Sequence, residues 1–163
     1  MAFDAFLKVD GAPGESMDSQ HKDWIEILSY HHGVQQPVST VVSSSGGATA
    51  ERANFTAFTV TKLVDKSSPK LFEACFTGRH IKEVVIEVCR AGGDKQKFME
   101  IKMEKVLISN YDHDGGGNAD FPVESVSFAP ATIKMTYSQQ KREDGTVGGS
   151  VAAGWDLMAN KVA

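Results

Sequence analysis

The sequence has no apolar run approaching the ~18 residues that a membrane-spanning helix needs, so no segment is a candidate for membrane insertion. Its first ten residues, Met1-Ala-Phe-Asp-Ala-Phe-Leu-Lys-Val-Asp10, lack both a basic leader and a continuous apolar stretch. The expectation is folding in the cytoplasm and, on export, a route that reads no N-terminal signal. A bias towards one sign of charge is missing too. Residues 1–81 carry 7 basic and 9 acidic side chains and residues 82–163 carry 10 and 12, so each half is −2 and nucleic acid is offered no electrostatic footprint. Cysteine is scarce: Cys75 and Cys89 form no metal or redox motif and are expected to be small buried hydrophobes, unpaired in a reducing compartment. Asn54-Phe-Thr56 matches the glycosylation sequon, which means little without a secretory signal.

Reactive constellations are equally sparse. The glycines at 46–47, 92–93 and 115–117 are not followed by Gly-Lys-Ser/Thr, which excludes a phosphate loop. Gly14-Glu15-Ser16-Met17-Asp18 lacks the last glycine of a hydrolase nucleophile elbow. Asp112-His-Asp114-Gly115-Gly-Gly-Asn118-Ala-Asp120 departs from a calcium loop at Gly116 and Val123 and reads as a solvated hairpin loop. His31 and His32 point to opposite faces of any strand that holds both, so they cannot chelate one ion together. Glu100 and Glu104 share a polar strand face with Lys102 between them. The reading is a protein with no catalytic residues, no metal site and no cofactor.

At 163 residues, with 41% hydrophobic side chains, a single domain over 1–163 with a real core is expected, burying roughly 70% of the unfolded surface. Most of the chain alternates with period two. Strands are predicted over Phe3–Val9, Trp24–His31, Phe55–Val64, Ile81–Ala91, Lys97–Asn110, Val123–Tyr137 with a bend at Pro130, and Val151–Met158. One helix stands out at Ser67–Gly78: Ser68 suits the N-cap, Pro69 the first turn and Gly78 the left-handed end, with Leu71, Phe72, Cys75 and Phe76 as its apolar face. Too short to persist alone, it must dock on a sheet. Gly33–Ala53 holds Pro37, Val38–Val42 and Ser43-Ser-Ser-Gly-Gly47, and reads as a β-hairpin or extended arm that packs on something outside its own domain. Phe6, Tyr30, Val85 and Tyr137 are bulky residues whose faces alternation leaves open, and they point to surface covered in an assembly. The fold class is therefore mainly β: a two-sheet barrel or sandwich with one flanking helix at about 68–77 and a long loop at about 33–53.

Several stretches together resemble the Hcp family (haemolysin-coregulated protein), which forms the inner tube of type VI secretion systems. They are Phe6-Leu-Lys8 with Gly14-Glu15-Ser16, Asp18, His21 and Trp24-Ile25; Lys62-Leu-Val-Asp65-Lys66-Ser67-Ser68-Pro69 with Leu71 and Ala74-Cys75; Arg90-Ala91-Gly92-Gly93; and Gly154-Trp155. Order and approximate spacing hold over more than 140 residues. Cys89 stands where the family commonly has an arginine, and the arm carries more valine and less glycine than is usual there. The resemblance implies homo-hexameric rings that stack into a tube, with spike and sheath proteins and effectors as partners and no fused effector domain beyond Ala163. It implies a ring-stacking or subunit interface on the arm, at Gln36, Val38, Val41, Val42, Ser44, Glu51 and Arg52. A lumen-side loop is implied at Asp112, Asp114, Gly115 and Asn118. The residues alone leave two alternatives: a stand-alone sandwich binding module with one concave aromatic site, and a small hydrolase using His31, His32 or His113.

Overall fold

The computed structural model describes residues 2–38, 50–92, 95–141 and 143–163. Ten strands and one helix follow in the order β1 (Phe3–Val9), β2 (Ile25–Ile27), β3 (Ser29–Gln35), β4 (Asn54–Leu63), α1 (Ser68–Thr77), β5 (Ile81–Arg90), β6 (Lys97–Asp114), β7 (Val123–Ala129), β8 (Thr132–Gln140), β9 (Val147–Asp156) and β10 (Lys161–Val162). All the pairings are antiparallel and form two layers. Sheet A runs β10-β9-β8-β6-β5-β1-β2, while β3, β4, β7 and the far half of β6 form sheet B. The described strands do not close into a barrel.

Strand β6 belongs to both layers. Its residues up to Val106 pair with β5 and β8, and those from Leu107 onward pair with β7. Lys105 sits at the join with φ of 51°, a left-handed conformation uncommon away from glycine, and a bulge follows between Ile108 and Asn110. A corner of this kind lets one long strand change sheets. The predicted strand Trp24–His31 breaks in the same way: β2 lies in sheet A and β3 in sheet B, with exposed Leu28 between them.

Between the layers Leu7, Ile25, Phe58, Val60, Ile86, Ile101, Met103, Val126 and Phe128 are sealed from solvent. Each contributes about 1.5–3 kcal/mol if its side chain is of Leu or Phe class. The helix closes one side through Leu71 and Ala74. Its expected apolar face is thus half right. Phe72 and Phe76 lie outside the core, 49% and 78% exposed, packed edge to face on each other at 4.8 Å, with Phe72 also against Tyr111. The expected cap moves as well: Ser67 holds the N-cap position without capping through its side chain. Ser68 Oγ instead accepts from the Asp65 N–H and donates to the Glu124 carboxylate, because a buried ionic group lies beneath it. Gly78 ends the helix at φ 64°, as predicted.

Two polar clusters prove to be structural. Lys62 and Glu124 form a fully buried ion pair, to which Asp65, Ser68 and the Tyr111 hydroxyl also bond. Burial, then the Glu124 carboxylate, pushes the Tyr111 phenol well above its ordinary range. Residues 11–24 fold over the outer face of sheet A. Gly14 is required there, since a Cβ would collide with the Trp24 carbonyl. The loop carries His21 onto Phe6, rings parallel with centroids 4.1 Å apart, and holds its two nitrogens on Asp18 (2.8 Å) and Glu87 (2.7 Å).

Candidate functional site

The arm begins where β3 and β4 run out. Val38 bridges Ala50 antiparallel, Gln36 Nε2 donates to the Glu51 carbonyl, and the Glu51 N–H donates to the Pro37 carbonyl at 3.2 Å. Gln36, Val38 and Glu51 thereby make a two-stranded stem with Val38 exposed. Arg52 reaches elsewhere: Nη2 donates to the Leu157 carbonyl at 2.8 Å, tying the stem to the turn between β9 and β10. Val41, Val42 and Ser44 lie outside the described residues.

The expected loop at 112–120 starts later than its sequence implies. Asp112 and Asp114 are on β6, paired with Ser125 and Val123, because the strand runs on past its corner. Gly115 and Asn118 are exposed in the loop proper. Asp112 accepts from Asn110 Nδ2 at 2.6 Å.

The two outward faces differ in chemistry. On sheet B, cross-strand rows read Ser29–Thr61–Ser125–Asp112 and His31–Thr59–Ser127–Asn110. Thr59 and Ser127 hydroxyls bond at 2.8 Å, so these two rows are a lattice of small neutral groups bearing one carboxylate, Asp112, and one imidazole, His31. Sheet A presents a charged ladder instead: Lys102 pairs with Glu83 and Glu104, and Lys97 with Glu87 and Glu100. Beside it the Asp18 carboxyl is held far below the usual carboxylate range, by the Lys95 ammonium first and His21 second. The Cys89 thiol is buried and pushed up to about 11, chiefly by desolvation and then by Glu87, which makes it a poor nucleophile.

Of the four bulky residues left open by alternation, the chain itself buries Phe6 beneath the His21 loop and Val85 in the charged face; Tyr30 stacks on Phe58. Tyr137 stays out. It belongs to a row that begins in the core, Ile27–Ala5–Val88–Met99–Tyr137–Val151. The row is covered by sheet B at its start and bare at its end, where Tyr137 is 46% and Val151 74% exposed. Alternation put Ala5 and Met99 on apolar sides of their strands and left Tyr137 open; it could not show where the facing sheet stops. The histidines proposed for hydrolysis are not brought together with a nucleophile: His32 lies against Phe58, its pKa pushed below the ordinary imidazole value by burial and then by His31, and His31 and His113 are exposed.

A two-layer β-sandwich with a partly bare apolar face, and no assembled catalytic group among its described residues, is the class that this geometry defines. Residues 6–137 match the family model described as "Type VI secretion system effector, Hcp". The chain is similar to Protein hcp1 of Pseudomonas aeruginosa, 33% identical over 161 residues covering 98% of each. It superposes on a solved type six secretion system protein with a TM-score of 0.92, at 34% identity, covering 99% of this chain and 100% of the other. For Hcp1 from Salmonella typhimurium the TM-score is 0.83 at 30% identity, with both chains fully covered. The chain belongs to the Hcp family of type VI secretion proteins.

Proposed function

We propose that this chain is a non-enzymatic tube subunit: copies close head-to-tail into hexameric rings, the rings stack into the inner tube of a type VI secretion system, and the tube carries or chaperones effectors. On this reading one domain, 1–163, is made and assembled in the cytoplasm and exported on firing, with spike and sheath proteins as further partners. The observation that carries it is the apolar row of sheet A, which leaves the core and ends on bare Tyr137 and Val151. A subunit with an unfinished core face is one that completes itself by association. An obligate ring contact of this kind buries upwards of ~2,000 Å².

The contrast between the outward faces supports an inside and an outside. The hydroxyl rows of sheet B suit a wall along which cargo moves without strong ionic contact, with Asp112 on that wall and Asp114, Gly115 and Asn118 at its end. The arm, stemmed by Gln36, Val38, Glu51 and Arg52 and continuing through Val41, Val42 and Ser44, is assigned to contacts between rings. Deleting residues 38–49 tests this. Light scattering and negative-stain images are expected to show open rings that no longer stack; monomers would mean that the arm builds the ring, and a wild-type protein that stays monomeric at high concentration would refute the tube.

A further inference from the structure

Sheet A is wider than sheet B. Seven strands lie in the first, and only β3, β4, β7 and half of β6 lie in the second, so among the described strands none lies opposite the β8–β9 ribbon. Its two faces are unlike. One side carries Met135, Tyr137 and Val151 in continuation of the core rows; the other carries Thr136, Ala152 and a Ser138–Ser150 hydroxyl pair at 3.0 Å. Only the first side gains from being covered.

At the other end of the strand order, beside β1 and β2, lies a groove of about 610 Å³. Phe3, Leu28, Leu63 and Phe121 frame it, each between 42% and 60% exposed. That volume accommodates several side chains. Four carboxylates, Asp4, Glu15, Glu26 and Asp65, line it against the single ammonium of Lys95. The apolar side of β8 and β9 carries no charge; Lys134 and Asp156 lie on the other side with Thr136, so no carboxylate of the ribbon's apolar side opposes those of the groove. The exposed Phe72–Phe76 pair, by contrast, brings Glu73 with it.

The geometry points to a specific contact between copies: the apolar side of the β8–β9 ribbon, centred on Tyr137 and Val151, seats in the Phe3–Leu28–Leu63–Phe121 groove of a second copy of this chain. Ribbon and groove are different surfaces at opposite ends of sheet A. In a head-to-tail arrangement each terminal subunit keeps one free ribbon or one free groove until the rotation closes. This inference rests on the ring reading above and adds which surfaces meet. It leaves the two hydroxyl rows of sheet B outside this contact.

Cysteine pairs test it in a Cys75→Ser background, where buried Cys89 stays unreactive. A chain carrying both Leu28→Cys and Val151→Cys is expected to give, on mild oxidation, a covalent ladder on a denaturing gel. Each single variant should run as monomer. Tyr137→Cys with Phe121→Cys repeats the experiment in case the first pair disturbs folding. Rings by light scattering with no ladder from either pair would overturn the contact and leave the ring reading standing. Wild-type monomers would overturn both. Val151→Glu supplies a second readout: a folded monomer by circular dichroism supports the contact, and rings of unchanged size refute it.

Discussion

Replacing Lys62 by methionine strands a carboxylate. Lys62 and Glu124 are both fully buried, and the lysine ammonium also meets Asp65 at 3.0 Å and the Leu63 carbonyl at 2.9 Å. In the variant Glu124 keeps hydroxyl donors from Ser68 and Tyr111 but loses its counter-charge. Removing one partner of a buried pair costs about 3–5 kcal/mol, because the remaining charge cannot regain water. For a chain of this size each kcal/mol lowers Tm by about 2–4 °C, so the single variant should melt about 6–20 °C lower. The double variant Lys62→Met with Glu124→Gln removes both charges and keeps one acceptor oxygen, while the amide NH2 donates to the other hydroxyl, which turns to accept. It should recover most of the loss. Urea unfolding followed by Trp24 and Trp155 fluorescence completes the cycle, with all four proteins at one concentration, since assembly contributes to apparent stability. A loss below about 1 kcal/mol in Lys62→Met would refute the reasoning, showing that Glu124 is relieved by protonation or by water.

The helix face gives a sharper contrast. Leu71→Ala should cost about 2–5 kcal/mol and Phe76→Ala less than about 0.5 kcal/mol in thermal melts; similar costs would restore the face expected from sequence. Acid behaviour follows from Asp18. Its carboxyl is held down in the folded protein by Lys95 and His21, so its stabilisation is complete above the ordinary carboxylate value near ~4 and is lost as pH falls through the lower, folded value. Asp18→Asn should therefore lose stability at neutral pH and show a shallower decline between about pH 4 and pH 2; an unchanged acid slope would remove Asp18 from the account.

Legibility in the sequence followed the range of the interaction. Alternation and turn residues placed β1, β4 and β5 within a residue or so, and Pro69 and Gly78 bounded the helix, because each signal is local. The residue motifs also determined the family, since Gly14, Asp18, His21 and Lys62–Pro69 keep their order. Why those residues are needed was not legible. His21 had a local signal in its three-residue spacing from Asp18, but its second partner, Glu87, is 66 residues away. Glu124 is likewise 62 residues from Lys62, and the pair's demand for hydroxyls turned Ser68 from a helix cap into a buried ligand of the ion pair.

By itself, then, the sequence determined the strands, the helix limits, the absence of any recognisable reactive motif and the family. Tertiary structure decided which side of each element is inside: the turn at Lys105 that carries β6 from one sheet to the other, the exposure of Phe72 and Phe76, and the point beyond β6 where sheet B stops and leaves Tyr137 and Val151 bare. Period-two and period-3.6 patterns report that a face is apolar. What lies opposite that face, the same chain or another copy, depends on the width of the layer packed against it, which no local pattern encodes.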